Sequence, residues 1–192
     1  MPQAGPLSST AASAPIDRYA EIRAAHRWNM PPAFNIAEAC CRRWADDRSR
    51  FALYWEDKSG ARSAHTFFDL QRDANRLSNV LAAQGVRRGD KVAILLPQRP
   101  ETAIAHIAVY QMGAVAVPLS FLFGADALEY RLAFSEASVA LVDPQSWPNL
   151  APIRHRLEGL RHIIGVAGVD AAGVDDFTSL LAHASPHFDA VA

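Results

Sequence analysis

The sequence predicts an α/β fold: a layered domain with a mainly parallel sheet flanked by helices and preceded by a β-hairpin. Three observations carry that expectation. First, short Val/Ile/Leu-rich runs at Lys91–Leu96, Ala114–Leu119, Ser138–Val142 and His162–Val166 alternate with helical segments, the pattern of parallel strands buried on both faces. Second, several of these runs are closed by proline, glycine or aspartate, as strands ending in turns are. Third, Phe51–Glu56 and Ala61–Thr66 flank the polar turn Asp57-Lys-Ser-Gly60, a hairpin signal with glycine where positive φ is needed.

Each element has its own justification. Residues 1–15 are Ala, Ser and Pro with little to bury, and are expected to be a disordered tail. A short helix over Ile16–His26 follows, and Met30-Pro-Pro32 breaks the chain. Asn35 and Glu38 form a capping-box-like pair ahead of Ile36, Cys40 and Trp44, which predicts a helix ending near Asp46. Thr66 and Asp69 start the next helix in the same way. Its Phe67, Leu70, Ala74, Leu77 and Leu81 repeat at 3,4-spacing, one apolar stripe, and Gly85 ends it as a C′ residue. Pro100 at N1 and Glu101 in the first turn suit a helix start. That helix is apolar on almost every side from Ala103 to Met112, so it should lie between layers. Phe121-Leu-Phe-Gly124 reads as an exposed apolar loop, and Leu128 and Leu132 mark the inner face of a helix over Asp126–Glu136. Pro152–Leu157 suggests one or two helical turns, Gly165–Val174 a flexible loop, and Phe177–His183 a short helix started by Asp175 or Asp176.

Composition narrows the function. A chain of 192 residues, 50% hydrophobic and 20% charged with net charge −1, can bury a full core without staples. It offers no electrostatic reason to bind nucleic acid. No apolar run reaches membrane-spanning length and the N-terminus lacks a signal-peptide pattern, so a cytoplasmic location is expected. Cys40 and Cys41 are adjacent, a placement that disfavours a disulfide between them and makes no CxxC site.

Chemistry-bearing motifs are sparse. Gly165–Gly173 contains neither GxGxxG nor GxxxxGK[ST], and a flexible turn accounts for it. His183 and His187 are spaced for a metal on one helix, but Pro186 between them interrupts such a helix. There is no GxSxG elbow and no defensible carboxylate pair. Arg99 follows a strand and precedes a helix, where open α/β sheets bind ligands; a polar helix start is the better account of it. Lys58 and Lys91 are the only lysines.

Taken together and in order, Phe34-Asn-Ile-Ala37, Ala52-Leu-Tyr-Trp-Glu-Asp57, Thr66-Phe67 with Leu70, Gly85-Val-Arg-Arg-Gly-Asp-Lys-Val92, Leu96-Pro-Gln-Arg-Pro-Glu101, Met112-Gly-Ala-Val115, Val117-Pro-Leu119 and Ala127-Leu-Glu-Tyr-Arg-Leu132 resemble the N-terminal portion of AMP-forming acyl-CoA synthetases, especially the medium-chain and benzoate-type branch. The resemblance covers Phe34 to about Val166 and makes residues 16–192 the first part of a large adenylate-forming domain. It implies a parent enzyme that converts a fatty or aromatic carboxylate, with ATP and Mg2+, to an acyl-adenylate and then, with CoA, to a thioester. The family's Thr-Ser-Gly-Thr-Thr-Gly-x-Pro-Lys-Gly phosphate loop is not in this sequence, and neither lysine stands in for its lysine or for the catalytic lysine of the C-terminal domain. The resemblance therefore implies no catalytic residue and no metal ligand here, and an inactive isolated chain with no tightly bound cofactor. Within Ser120–Phe123 it aligns Leu122 with a CoA-contacting position that is polar in some relatives; the same loop is equally suited to being covered by the following domain. Two other readings stay open: part of another adenylate-former, such as an aryl-acid activating domain, and a stand-alone flavodoxin-like module. Apolar surface on the Ala103–Met112 helix and the Phe121–Phe123 loop leads us to expect self-association.

Overall fold

The computed structural model describes residues 17–29 and 31–191; the tail expected over residues 1–15 lies outside them. Two compact units divide at Pro32 and Ala33. In the first, α1 (Arg18–Ala25) is capped by the Asp17 carboxylate, which accepts the Ala20 N–H. None of its residues is buried. The second unit carries everything that follows.

Its centre is a five-stranded parallel sheet of β3 (Lys91–Leu95), β4 (Val115–Pro118), β5 (Val139–Val142), β6 (His162–Gly165) and β7 (Asp175–Asp176), in the order β4-β3-β5-β6-β7. Renumbered from β3 this is 2-1-3-4-5, the flavodoxin-like doubly wound order. Alternation along each strand sends side chains to two separate cores. Val92, Ile94, Val139, Leu141 and Ile164 pack with α3 (Phe67–Ala83), α4 (Pro100–Gln111) and α7 (Phe177–His183). Ala93, Leu95, Ala140, Val142 and Ile163 pack with α5 (Ala125–Ser135), α6 (Trp147–Leu150) and the 3-10 helix Ala151–Arg156. The expected layers and mainly parallel sheet are present. The two-residue β7 was not anticipated, because Asp175 and Asp176 carry no apolar signal and pair only through main-chain register with β6.

The hairpin forms as a separate antiparallel pair, β1 (Phe51–Glu56) and β2 (Arg62–Thr66). Asp57 Oδ1 accepts from the Ser59 and Ala61 N–H groups, and Gly60 adopts φ +85°. Thr66 and Asp69 make the reciprocal capping box of α3, and Leu70, Ala74, Leu77 and Leu81 are buried as the stripe requires.

Two expectations are corrected. The helix from Asn35 does not run to Asp46: α2 (Ile36–Cys40) stops at Cys41, whose φ −131° and ψ −64° are not helical, and a 3-10 turn follows over Arg42–Trp44. Only half of its capping box forms. Asn35 Oδ1 caps Ala37 N–H, whereas Glu38 turns to an ion pair with Arg42 at 3.1 Å. The second correction concerns α4, which lies between layers as its all-round apolar sequence predicts but does not leave open the apolar surface expected to drive self-association. Its Ile104, Ile107, Ala108 and Val109 are buried between the sheet and α2 and α3. Apolar residues all round mark a helix covered all round.

The segment beyond α7 has no regular structure, yet it is fastened. Asn79 Nδ2 donates to the Ser185 and His187 carbonyls, Asn75 Nδ2 to Pro186 O, Arg42 Nη2 to Phe188 O, and Asn35 Nδ2 to Val191 O. Gly113 is needed here: φ is +68°, and a Cβ would stand 2.7 Å from Val191 Cγ2.

Candidate ligand cleft at the strand carboxyl ends

Parallel strands end with their carbonyls pointing the same way, and ligands of open α/β sheets bind beyond those ends. At β5 that end is occupied by its own turn. Asp143, 2% exposed, accepts the Gln145 and Ser146 N–H groups at Oδ1, and its own N–H donates to Ser146 Oγ. The opening lies instead past β3 and β4, a cleft of about 330 Å³. Ile94, Leu96 and Leu119 form its apolar floor, and Gln98, Thr102, His106 and Ser120 are its polar side chains.

The walls are anchored from several elements. Thr102 Oγ1 in the first turn of α4 donates to Pro97 O at 2.7 Å, and Trp55 of the hairpin donates its indole N–H to Gln98 O at 2.9 Å. Leu119 N–H continues the ladder to Ile94 O. His106 sits one turn beyond Thr102, with Nδ1 3.0 Å from the Tyr110 hydroxyl, and burial holds its imidazole below the ordinary histidine value. Ser120 closes a tight turn: its Oγ accepts from Leu122 N–H and its carbonyl from Phe123 N–H.

The candidate residues fall as follows. Leu122 is at the tip of that turn, 77% exposed and outside the cleft lining, next to Phe121, which does line it. Phe121 and Phe123 are only half-exposed, so the loop is less open than its sequence suggests. The Arg131 guanidinium lies 4.2 Å from the Phe123 ring centre, a cation–π contact. Arg99 caps α4 and is spent on a two-point ion pair with Glu101, at 2.7 and 3.1 Å. His183 ends α7 with its ring against Ser179 O, while His187 lies in the segment beyond, so the two are on different elements. No group of three or more His, Cys, Asp or Glu among the described residues is placed to hold a metal. Lys91 pairs with Glu136 at 3.4 Å, and Lys58 belongs to the hairpin turn.

Sequence reasoning passed over His106 and Asp143. His106 has a legible signal, a lone imidazole four residues before Tyr110 on an otherwise apolar helix. Asp143 has none, since an aspartate after a strand looks the same whether buried or solvated. The cleft offers hydrogen-bonding groups and apolar area but neither a nucleophile paired with a base nor a carboxylate in its lining.

The strand order and flanking helices define a doubly wound α/β domain, and comparison with known proteins carries this further. The chain belongs to the AMP-binding enzyme family, which it matches over residues 40–190. It is 34% identical to the acetyl-coenzyme A synthetase of Streptomyces coelicolor over 117 residues, 60% of this chain and 18% of that protein. It is 25% identical to the human mitochondrial acyl-coenzyme A synthetase ACSM3 over 183 residues, 92% of this chain and 31% of that protein. Among solved structures, the acyl-CoA synthetase of Brucella canis superposes with a TM-score of 0.81 at 27% identity, covering 92% of this chain and 34% of that one. The chain thus spans between 18% and 31% of the two relatives' length. No helix among the described residues is long and apolar enough to cross a membrane.

Proposed function

We propose that this chain is the N-terminal portion of an ATP-dependent, AMP-forming carboxylic acid–CoA ligase, acting on a fatty or aromatic acid in the cytoplasm. The observation that carries the reading is the family match over residues 40–190, joined to relatives that are acyl-CoA synthetases along the same stretch. The rival reading, a stand-alone flavodoxin-like module, draws on the strand order alone.

The described residues do not fit ATP or Mg2+. They hold no glycine-rich phosphate cradle and no cluster of metal ligands, and Lys91 is paired with Glu136. Adenylyl transfer needs phosphate charge neutralised by a metal and a cation, so no step of it is assigned to this chain. What the chain supplies is a rigid wall: α4, β3 and β4 hold the cleft, and the Ser120 turn projects Leu122 outward. In this reading Leu122 presents an apolar side chain to CoA or to a covering domain. Leu122 in the Phe121–Phe123 loop and, separately, the stacked Tyr130 and Phe134 on α5 are exposed apolar side chains through which self-association would run.

Two measurements test the proposal. Acid-dependent ATP–pyrophosphate exchange by the purified 192-residue chain should be absent; exchange persisting in homogeneous protein would refute the assignment of the chemistry elsewhere. Sequencing the source reading frame beyond Ala192 should meet a Ser/Thr/Gly-rich phosphate loop, whereas a stop codon there would favour the stand-alone module.

A further inference from the structure

A second cavity, of about 550 Å³, shares no lining residue with the cleft at the strand ends. It lies between α3, the Arg42–Arg48 segment and the Pro186–His187 stretch. Four arginines line it, Arg42, Arg48, Arg72 and Arg76, against a single lining carboxylate, Asp46.

Some of that charge is already neutralised. Asp69 and Asp73 hold Arg72, Glu38 stands 3.1 Å from Arg42, and Asp73 is 3.7 Å from Arg76. Arg48 differs: it stacks on Phe68 at 4.2 Å and has no carboxylate partner among the described residues. A guanidinium flattened on an aromatic face leaves its in-plane N–H groups open to an anion.

The second, independent observation is beneath the arginines. Gln71 and Asn75 are 5% and 8% exposed. Arg42 Nη2 and Gln71 Nε2 both donate to Asn75 Oδ1 and Gln111 Oε1, and Gln111 Nε2 donates to Ser78 Oγ. This network fixes Gln71 as a donor on its nitrogen and leaves Oε1 without a partner. Of the five buried side-chain polar atoms lacking a hydrogen bond among the described residues, three belong to this lining: Arg42 Nε, which already faces Glu38 Oε2 at 3.1 Å, and Gln71 Oε1 and Arg76 Nε, which face no such partner. Leaving such groups unpaired is costly, so their clustering points to a partner that joins them. The wall formed by Pro186 and His187 is held only by side-chain-to-main-chain bonds, from Asn75 and Asn79.

We propose that this cavity binds the phosphate group of a small anion, free phosphate or a phosphate monoester. The guanidinium N–H groups donate to phosphate oxygens, and Gln71 Oε1 accepts one O–H, from hydrogen phosphate itself or from a hydroxyl of the ester. Sulfate has the oxygens but no proton to donate at neutral pH. The proposal does not depend on the ligase reading.

Titration calorimetry of the full 192-residue chain at low ionic strength, with inorganic phosphate, sulfate and glycerol phosphate, tests it. Phosphate should bind about tenfold more tightly than sulfate, one hydrogen bond's worth, and Gln71→Met should remove that preference. Arg48→Gln, an exposed change that leaves the core alone, should weaken phosphate about tenfold, as loss of a charge-assisted bond does. Tighter binding of glycerol phosphate identifies a phosphorylated metabolite as the ligand class, and equal or weaker binding identifies free phosphate. Failure of phosphate to bind, equal affinity for phosphate and sulfate, or an affinity unmoved by Arg48→Gln each overturns the proposal. Should Gln71→Met not fold, the sulfate comparison and Arg48→Gln decide it.

Discussion

His106 shows how much one side chain's meaning depends on what surrounds it. On paper it is a polar interruption in an apolar helix. In the fold it is half-buried at the cleft, beside Tyr110, and burial lowers its pKa. The consequence has a sign. An imidazole whose folded pKa lies below its unfolded value of about 6.5 is protonated more readily when the chain unfolds. Its contribution to stability is complete above that value and is lost as pH falls toward the depressed folded value. We expect the urea midpoint to drop between about pH 8 and pH 5, and the drop to shrink in His106→Gln; identical pH profiles for the two proteins would contradict the assignment. The carboxylates act in a different window. Asp69 is held below the usual carboxylate range chiefly by the Thr66 hydroxyl, so its contribution is lost only as pH falls below about 4. At Cys41 burial acts on a thiol instead, pushing it up to about 12.

At the scale of elements, α3 is the best specified piece of the chain. A reciprocal cap starts it, an apolar stripe faces the core, and the backbone leaves it through Gly85 at φ +86°. Leu77 lies at the middle of that stripe with no exposed surface. Leu77→Ala should therefore cost about 2–5 kcal/mol, the range for emptying a core leucine site. A chemical-denaturation shift below about 1 kcal/mol would mean that neighbours collapse into the space or that the stripe is not packed as described. α2 is the contrary case. Its apolar spacing runs on past Cys41, but Arg42 leaves the helical path for Asn75, Gln111 and the Phe188 carbonyl. Contacts with partners as far as 146 residues away prevailed over local propensity.

Across the second unit, its own two described ends are joined. Asn35 donates to Tyr110 O and Val191 O while its oxygen caps α2, and Val191 N–H donates to Gln111 O. Removing this amide should cost about 1–3 kcal/mol, a cap plus a donor lost from two part-buried carbonyls. We expect Asn35→Ala to speed hydrogen exchange at the Val191 amide well beyond its effect on β3 and β5. Uniform acceleration everywhere would show global destabilisation and no local release of the 185–191 segment.

What the sequence by itself determined were the elements with periodic or punctuated signals: the hairpin with its Asp57–Gly60 turn, the capped stripe of α3, four of the five sheet strands, and Pro100 at the start of α4. Hydrophobic period and cap chemistry are local, so they survive in one dimension. The family was legible too, through the order of short segments from Phe34 to Leu132, each unremarkable alone. Only the tertiary structure decided which elements cover α4, that α2 ends at Cys41, that Asp143 is spent on its own turn, and that Arg48 and Gln71 share one cavity. These depend on which surfaces meet and on which donors find acceptors far along the chain. Neither is encoded in the spacing of residues within a single element.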